Sequence, residues 1–311
     1  MSAHIPPKQG MRDVSAKGTS FRVATAEAKL RVSPASIQLI RDGQAPKGDP
    51  IAVARVAGIQ AAKLTPTILP YCHSVGLDYV GLEFDLLNDA IKIAAEVKAI
   101  HRTGVEMEAM TAVAVAALNL YDLLKPVDDD MEIEYVRLTG KTGGKSNFDA
   151  SEAFTVCTVI VSDRASRGEY EDRVGPLLQT SLETQLGTVL SNNVVPDESD
   201  HIIAAVEGAL SSTPDFVFVC GGTGLGPRDF TIEALSALVK KRLSGIEFRI
   251  MDFANERVPT AMMSRPLAGL IGSTVLIVLP GSPQAVADAI NALFPYIKHA
   301  VSMVKGAGHE D

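Results

Sequence analysis

After residue 150 the chain alternates between short apolar runs and amphipathic helical patterns, and few folds accept that alternation. The apolar runs are rich in β-branched residues and lie at 154–161, 188–195, 216–219 and 274–279. Helical patterns lie between or after them at 175–185, 200–211, 231–239 and 283–293. Apolar strands that alternate with helices are typical of a parallel sheet covered on both faces. The sequence therefore predicts an α/β doubly wound domain.

The run from Cys220 to Asp229, CGGTGLGPRD, connects one of these strands to the next helical pattern. Glycines at such a turn let backbone N–H groups close on an anion, and the N-terminus of the following helix adds partial positive charge. A glycine turn that only reverses the chain is the alternative. Because Asp229 ends the run, its carboxylate can hold a metal ion beside the anion.

Three more loops fall at the same predicted edge of the sheet. In a doubly wound sheet ligands bind beyond the carboxyl ends of the strands, where residues 162–166, 196–198 and 279–283 join the glycine loop. Asp197 and Asp229 follow different strands and can converge on one metal ion, for which Mg²⁺ is the usual choice beside phosphates. The alternative role for both is to cap the helices that follow them.

Before residue 140 the patterns predict an α+β domain with an antiparallel sheet. Strands are predicted at 22–32, 77–87, 90–100 and 132–138, and helices at 50–63 and 106–124. A helix is the alternative for 90–100, because its Ala, Lys and Glu residues also suit one. Asp49 is placed to cap the first of these helices, with Pro50 at its first position. Strands grouped around two helices favour a two-layer sandwich.

Six polar side chains in this half are candidates for chemistry: Lys47, His73, Glu106, Glu108, Asp122 and Lys125. Asp122 and Lys125 lie three residues apart near a helix end and share a face, as a surface ion pair also would. The alternatives for the others are a loop lysine, a structural histidine, and glutamates that favour a helix N-terminus. Glu108 and Asp122 are about four helical turns apart, or roughly 21 Å. A site that uses both must therefore be assembled between subunits.

A segment rich in Gly, Lys, Ser and Asp, residues 140–151, is predicted to join two domains, at 11–148 and 152–306. Within this segment, Gly144-Lys145-Ser146 resembles the last three residues of a nucleotide-binding P-loop. That motif requires a glycine five positions before Gly144, where the chain has Thr139. No strong helical pattern follows it, so we reject a P-loop here.

The composition excludes several classes of partner. The net charge is −8, and neither half carries the basic field that nucleic acid requires. No apolar run approaches the roughly 20 residues of a membrane span. The three cysteines have no metal-binding or disulfide spacing, and residues 1–10 lack an apolar signal core. The sequence predicts a cytoplasmic protein without nucleic-acid or membrane partners.

The second half resembles the molybdopterin-binding MoaB/MogA family over essentially its whole length. The matching segments are 161–166 (VSDRAS), 171–172 (ED), 195–198 (VPDE), 221–229 (GGTGLGPRD), 233–234 (EA), 264–266 (SRP) and 279–283 (LPGSP). The resemblance implies a trimer that adenylylates molybdopterin with Mg-ATP and releases diphosphate. It assigns Asp197 and Asp229 to metal and catalysis. It assigns substrate binding to Ser162, Asp163, Gly221, Gly222, Thr223, Gly224, Arg265, Gly281, Ser282 and Pro283. A non-catalytic pterin-binding or scaffolding module is the alternative.

The first half is similar to the cyclic pyranopterin monophosphate synthase family, MoaC, over about residues 11–148. The matching segments are 14–17 (VSAK), 47–49 (KGD), 57–63 (AGIQAAK), 72–73 (CH), 103–109 (TGVEMEA), 121–122 (YD) and 143–146 (GGKS). The resemblance implies a ferredoxin-like fold, a hexamer built from dimers, and active sites at subunit interfaces. It implies the conversion of 3′,8-cyclo-7,8-dihydro-GTP to cyclic pyranopterin monophosphate and diphosphate, without a cofactor.

Carried over by position, the catalytic residues of this half are Lys47, His73, Asp122 and Lys125, and the substrate-binding residues are Tyr71, Cys72, His73, Glu106, Met107 and Glu108. The chain departs from the usual family pattern at Tyr71 and Ser74, which flank Cys72-His73, and at Arg102, where a lysine is usual. Arginine keeps the charge but is not equivalent to lysine at a phosphate. Together the two resemblances predict a bifunctional enzyme of molybdenum cofactor biosynthesis. Its expected partners are pterin and nucleotide substrates and further copies of itself, as a trimer or hexamer.

Overall fold

The structure is a computed structural model that describes residues 10–144, 153–169 and 171–306. The chain divides into two compact units, and the division falls between residues 147 and 148. The predicted domain limits at 148 and 152, and residues 145 and 146 of the GGKS segment, lie outside the described residues.

The first unit is an antiparallel sheet with helices packed against it. Its elements are β1 (Ser20–Arg31), α1 (Pro34–Arg41), α2 (Pro50–Lys63), α3 (Thr65–Ile68), β2 (Tyr79–Leu86), β3 (Ala90–His101), α4 (Glu106–Leu124) and β4 (Glu132–Thr142). The strand order is β2-β3-β1-β4, and each neighbouring pair is antiparallel. The predicted α+β class, four strands and two long helices are confirmed. Helix α1, capped by Ser33, was not predicted.

Local sequence explains the packing of this unit. Asp49 Oδ1 accepts hydrogen bonds from the backbone N–H groups of residues 51 and 52 and so starts α2 as predicted. Alternate residues of β1, from Ala24 to Leu30, are buried beneath the helices. A Cβ at Gly58 would lie 2.9 Å from Ala112 O, so only glycine allows α2 to lie this close to α4.

Helix α4 is the one described helix that is long and apolar enough to span a membrane. Nine of its residues are buried against the rest of the unit. Its apolar character is therefore that of a core helix.

The second unit is an α/β domain with a six-stranded sheet. Its elements are β5 (Phe154–Val161), α5 (Asp163–Ser166), α6 (Val174–Gln185), β6 (Gly187–Val195), α7 (Ser199–Leu210), β7 (Phe216–Cys220), α8 (Thr231–Ser236), β8 (Lys241–Arg242), α9 (Ser244–Asn255), β9 (Leu267–Ile271), β10 (Thr274–Leu279), α10 (Pro283–Leu293) and α11 (Lys298–Val304). The strand order is β6-β5-β7-β10-β9-β8. Two buried apolar clusters cover its two faces: β5 gives Val156 to one and Val159 to the other.

The prediction of a wholly parallel sheet is wrong at one edge. The strands β6, β5, β7 and β10 are parallel, as predicted, but β9 and β8 are antiparallel to their neighbours. Only Gly272 and Ser273 separate β9 from β10, and Gly272 has a positive φ of 61°. A two-residue connection of this kind makes a hairpin, because a parallel pair needs a crossover of a dozen or more residues. Helix α9 was also missed, and α8 ends three residues earlier than predicted.

Candidate functional site

The predicted edge of the second unit brings three carboxylates together. Asp163 Oδ1 accepts hydrogen bonds from the backbone N–H of Asp197 at 3.1 Å and from Arg228 Nη2 at 2.9 Å. Asp163, a predicted substrate-binding residue, therefore braces the loop after β6 against the glycine loop. Its neighbour Ser162 caps the short helix α5 by accepting from the N–H of Ala165.

The glycine loop folds around the two predicted metal ligands. A Cβ at Gly222, which has φ 60°, would overlap Thr231 Oγ1 and lie 2.8 and 2.9 Å from the Asp197 carboxylate oxygens. Asp229 Oδ2 accepts a 2.7 Å hydrogen bond from the N–H of Gly226. The loop therefore passes close to both Asp197 and Asp229, and substitution of these glycines would disturb the carboxylates directly.

The electrostatics around Asp197 favour a bound cation. Burial raises the pKa of Asp197, and the negative charges of Asp229 and Asp163 raise it further. The N–H of Phe230 and the charge of Arg228 oppose these effects without cancelling them. Local negative potential is therefore incompletely balanced at this point, which is the condition that a divalent cation relieves.

The donor set next to Asp197 fits Mg²⁺. Thr231 Oγ1 is buried and has no hydrogen-bond partner among the described residues. Within residues 10–144, 153–169 and 171–306, no group of three or more His, Cys, Asp or Glu side chains can hold a metal ion. Two carboxylates and a hydroxyl suit an ion that keeps several waters and takes its other ligands from phosphate. Asp197 and Asp229 are the residues that would hold it.

Arg265, a predicted substrate-binding residue, makes hydrogen bonds to the glycine loop. Its guanidinium donates to the carbonyl of Gly224 from both Nε, at 3.1 Å, and Nη2, at 2.8 Å, and to the carbonyl of Asp229 at 3.1 Å. It is also paired with Glu233, whose pKa it lowers. Arg265 therefore ties the glycine loop to the start of α8. Sequence alone gives no signal for side chain to carbonyl bonds of this kind.

Two cavities lie on either side of the loop after β10. One, of about 280 Å³, is lined by Ile160, Val161, Ser162, Arg164, Ala165, Asp172, Arg173, Val174, Cys220, Gly281, Ser282 and Pro283. The other, of about 310 Å³, lies between α9 and α10 and shares only Ser282 with the first. A Cβ at Gly281 would lie 3.1 Å from Gly221 Cα, so this loop touches the glycine loop. The loop after β10 and the glycine loop therefore lie side by side at this edge of the sheet.

In the first unit, Asp122 lies between two lysines. Its Oδ1 is 2.7 Å from Lys125 Nζ, and its Oδ2 is 3.2 Å from Lys47 Nζ. Lys47 Nζ also donates to the backbone carbonyl of Asp122 at 3.0 Å. The Lys125 and Lys47 charges lower the pKa of Asp122, and Asp122 raises the pKa of Lys125. All three side chains are exposed, so they form a charged surface cluster.

The predicted substrate-binding residues of this unit line a separate cavity of about 180 Å³. Its walls include Arg12, Val14, Tyr71, Cys72, His73, Val75, Thr103, Gly104, Glu106, Met107 and Glu108. Glu108 is 3% exposed, and burial together with the charge of Glu106 raises its pKa. Burial also raises the pKa of the Cys72 thiol. His73, a predicted catalytic residue, belongs to this cavity.

Three basic side chains near this cavity, His101, Arg102 and Arg22, were not among the predicted site residues. Burial lowers the pKa of His101, and the charges of Arg102, His73 and Arg22 lower it further. Arg22 donates to the carbonyls of His101, Arg102 and Gly143, at 3.2 to 3.4 Å, so it joins two loops. The positive charges of Arg22 and Arg102 make this region suited to an anion.

The lysine–aspartate cluster at Asp122 and the cavity lined by Glu108 lie near opposite ends of α4. Glu108 is in the first turn and Asp122 is in the last, a separation of roughly 21 Å along the helix. One copy of the unit therefore does not bring the lysine–aspartate cluster and the cavity into one small-molecule site.

Comparison with known proteins gives two matches to family models. The MoaC family model matches residues 11–144, and the model of the probable molybdopterin binding domain matches residues 157–299. The chain therefore combines two domains of molybdenum cofactor biosynthesis.

Curated relatives have the same combination. The molybdenum cofactor biosynthesis bifunctional protein of Chlorobaculum tepidum is 43% identical over 300 residues, which are 96% of each chain. The protein of that name from Synechococcus elongatus is 38% identical over 314 residues, which cover 96% of this chain and 98% of that one. The chain belongs to this family of bifunctional proteins.

Among solved structures, the second half is similar to the molybdopterin biosynthesis enzyme MoaB from Thermus thermophilus, with 32% identity and a TM-score of 0.47. The match covers 49% of this chain and 97% of that one. A MogA structure matches with 32% identity and a TM-score of 0.46, over 48% and 99% of the two chains.

Proposed function

We propose that the first domain converts 3′,8-cyclo-7,8-dihydro-GTP to cyclic pyranopterin monophosphate and diphosphate. The observation that carries this proposal is the pair of lysine ammonium groups held on Asp122. Lys47 and Lys125 supply positive charge to the triphosphate. Asp122 remains ionised because its pKa is low, so it fixes the two lysines and accepts a proton only transiently.

The cavity around His73 holds the pterin end of the substrate in this proposal. Burial raises the pKa of Glu108, so this carboxyl takes up a proton more readily than an exposed one, and a protonated carboxyl donates a hydrogen bond as well as accepting one. At about 180 Å³ the cavity is too small for a nucleoside triphosphate, which supports a site completed by a second copy. The strand order β2-β3-β1-β4 supports the ferredoxin-like assignment of this domain.

Subunit mixing tests the interface site. A Glu108→Ala chain and an Asp122→Asn chain should each be inactive in pyranopterin formation. After confirmed subunit exchange, the mixture should recover roughly a quarter of the wild-type sites, as random pairing across a two-fold interface requires. Activity is measured as pyranopterin formed from the cyclic dihydro-GTP substrate.

The control mixes the Glu108→Ala chain with a chain that carries both substitutions. No pair in that mixture contains an intact site, so it should remain inactive. If the first mixture also remains inactive while subunits exchange, the interface site is wrong.

We further propose that the second domain binds molybdopterin and adenylylates it with Mg-ATP. The observation that supports it is the pair of carboxylates at the glycine loop, Asp229 at its end and Asp197 beside Gly222. Mg²⁺, when bound there, would offset the repulsion between these carboxylates and the phosphates. The loop's backbone N–H groups orient the anionic ligand, and Arg265 and Asp163 hold the loop in place.

Substitution of Gly222 by alanine should abolish Mg-ATP use by this domain. The added Cβ overlaps Thr231 Oγ1 and approaches the Asp197 carboxylate, so the glycine loop must move away from the ligand. We expect diphosphate release with molybdopterin to fall on the order of a hundredfold or more, as for loss of a preorganised anion site. The measurement is diphosphate release from Mg-ATP.

Gly272→Ala is the matched control. Gly272 has nearly the same φ, 61°, but a Cβ there meets no atom within 4 Å. The control should share the backbone strain and keep the activity. Equal losses in the two variants would show that strain, rather than contact with Asp197 and Thr231, decides the result.

A non-catalytic scaffold is the second candidate for this domain. It predicts pterin binding without diphosphate release. The raised pKa of Asp197 and the buried Thr231 hydroxyl, which has no hydrogen-bond partner in the part of the chain that the structure describes, favour the enzyme, because a scaffold that does not bind a cation gains nothing from them. We propose a cytoplasmic homo-oligomer, a trimer or hexamer, whose three free cysteines are in keeping with a reducing compartment.

A further inference from the structure

Arg12 is the one arginine or lysine that lines the cavity around His73 in the part of the chain that the structure describes. It is exposed and lies in the irregular segment that precedes β1. Its side chain makes neither a hydrogen bond nor an ion pair with any described residue. All five N–H donors of its guanidinium therefore remain available to a ligand in the cavity.

The carboxyl groups in and beside this cavity do not neutralise Arg12. Asp13 accepts a 2.8 Å hydrogen bond from the backbone N–H two residues later in the chain. Glu106 Oε1 lies 3.3 Å from Lys141 Nζ. Glu108 is buried, and burial raises its pKa, so this carboxyl is less readily ionised than an exposed one. The positive charge of Arg12 is therefore left for a ligand.

Further positive charge lies close to Arg12. Burial lowers the pKa of Lys17, and the charges of Arg12 and Arg22 lower it further, whereas the charge of Glu106 opposes these effects. Arg22 donates to three backbone carbonyls, which fix the position of its charge. Because Arg12, Lys17 and Arg22 are cationic, this region attracts an anion.

We propose that Arg12 binds the phosphoryl group that the product of the first domain retains, and holds it at the mouth of the cavity around His73. The substrate carries three phosphoryl groups, and the product keeps the α-phosphoryl group, which is the one nearest the ring system. A guanidinium donates two parallel hydrogen bonds to the oxygens of one phosphoryl group, which an ammonium does not.

This inference rests on the proposed function, and it divides the triphosphate between two sets of cations. In the interface site, Lys47 and Lys125 come from a second copy, since they lie near the other end of α4 from Glu108. They hold the two phosphoryl groups that leave. Arg12, from the copy that holds the ring, keeps the α-phosphoryl group beside it.

The α-phosphoryl group is the one that reacts when diphosphate is released. A hydroxyl oxygen of the sugar bonds to the α-phosphorus, and the bond from that phosphorus to the bridging oxygen breaks. Diphosphate leaves with the electron pair, and the hydroxyl proton passes to solvent. Catalysis of phosphoryl transfer depends mainly on position and charge. Arg12 is thereby a catalytic residue, because it touches the reacting group and stabilises its negative charge.

The test compares Arg12→Met with the wild type, as full-length chains, in pyranopterin formation from the cyclic dihydro-GTP substrate. We expect kcat/KM to fall about 10- to 100-fold, as for loss of charge-assisted hydrogen bonds. Arg12→Lys keeps the charge but not the fork of donors and should recover part of that loss. Arg12 is exposed and has no partner among the described residues, so both variants should fold, which thermal unfolding checks.

Inhibition by the two products separates the two sets of cations. The inhibition constant of cyclic pyranopterin monophosphate should rise about 10- to 100-fold in Arg12→Met, because that product carries the retained phosphoryl group. The inhibition constant of inorganic diphosphate should stay within about twofold of wild type, because Lys47 and Lys125 bind it. A general attraction of anions by Arg12 would raise both constants equally.

Arg137→Met is the matched control. Arg137 is an exposed arginine on β4 that pairs with Glu27, and its loss changes the net charge by the same amount. This variant should keep kcat/KM and both inhibition constants.

Three results would each overturn the inference while the proposed function stands: wild-type kinetics in Arg12→Met, an equal loss in Arg137→Met, or a diphosphate constant that rises as much as that of the other product. A wild type that forms no pyranopterin would instead reject the proposed function, and the inference with it.

Discussion

Replacement of Asp229 by alanine should lower diphosphate release from Mg-ATP and molybdopterin on the order of a thousandfold, the upper range for loss of one preorganised electrostatic group. The carboxylate is a proposed cation ligand, and its Oδ2 accepts from the N–H of Gly226, so the variant loses both the charge and the closure of the loop. Molybdopterin binding should largely survive, because the pterin does not need the cation. EDTA added to the wild type should have the same effect on diphosphate release.

Asp200→Ala is the matched control for this prediction. Asp200 is an exposed acid in the first turn of α7, close in sequence to Asp197. Its removal should leave diphosphate release within about twofold of wild type, as for exposed charges in general. Wild-type turnover by Asp229→Ala, or full activity in EDTA, would show that diphosphate release does not need a bound cation.

Asp122→Asn should lower pyranopterin formation on the order of a hundredfold or more, because the variant loses the charge that fixes two lysines and a transient proton acceptor. The side chain is exposed and the change is nearly isosteric, so the fold should persist. The raised pKa of Lys125 should return toward its ordinary value in the variant, since Asp122 is its cause. Product formation from the cyclic dihydro-GTP substrate is the primary measurement, and the pH profile reports the lysine.

Asp85→Asn, an exposed acid on β2, is the control for charge alone and should keep full activity. A variant with Asp122→Asn that turns over at the wild-type rate would contradict the role of Asp122. Loss of activity in both variants would indicate a general effect of surface charge on the triphosphate.

The architecture was predictable where burial gives the sequence a clear hydrophobic pattern. The strands β5, β7 and β10 are buried and appear as short apolar runs, and α2 begins at a cap that the sequence shows. The region from 241 to 271 was missed because its period is broken. Phe248 on α9 is 70% exposed, and β9 pairs through a short hairpin at the sheet edge. Neither feature has the pattern of a buried parallel strand or an amphipathic helix.

The candidate site was predictable in its location but not in its internal contacts. The rule that ligands bind beyond the carboxyl ends of strands placed Asp197 and Asp229 at one edge, and the structure places both against the glycine loop. The bracing by Asp163 and Arg265 depends on hydrogen bonds to backbone atoms, which leave no residue pattern. The cavity between α9 and α10 was missed for another reason, because its wall needs α9, which the sequence did not reveal.

The central claim is that one chain carries two separate catalytic sites, and one preparation assayed for both reactions tests it most directly. The full-length wild type should form pyranopterin from cyclic dihydro-GTP and should release diphosphate from Mg-ATP in the presence of molybdopterin. Asp122→Asn should lose the first reaction and keep the second, and Asp229→Ala should do the reverse. A wild-type chain that binds molybdopterin yet never releases diphosphate from Mg-ATP, or variants that each lose both reactions, would contradict the claim.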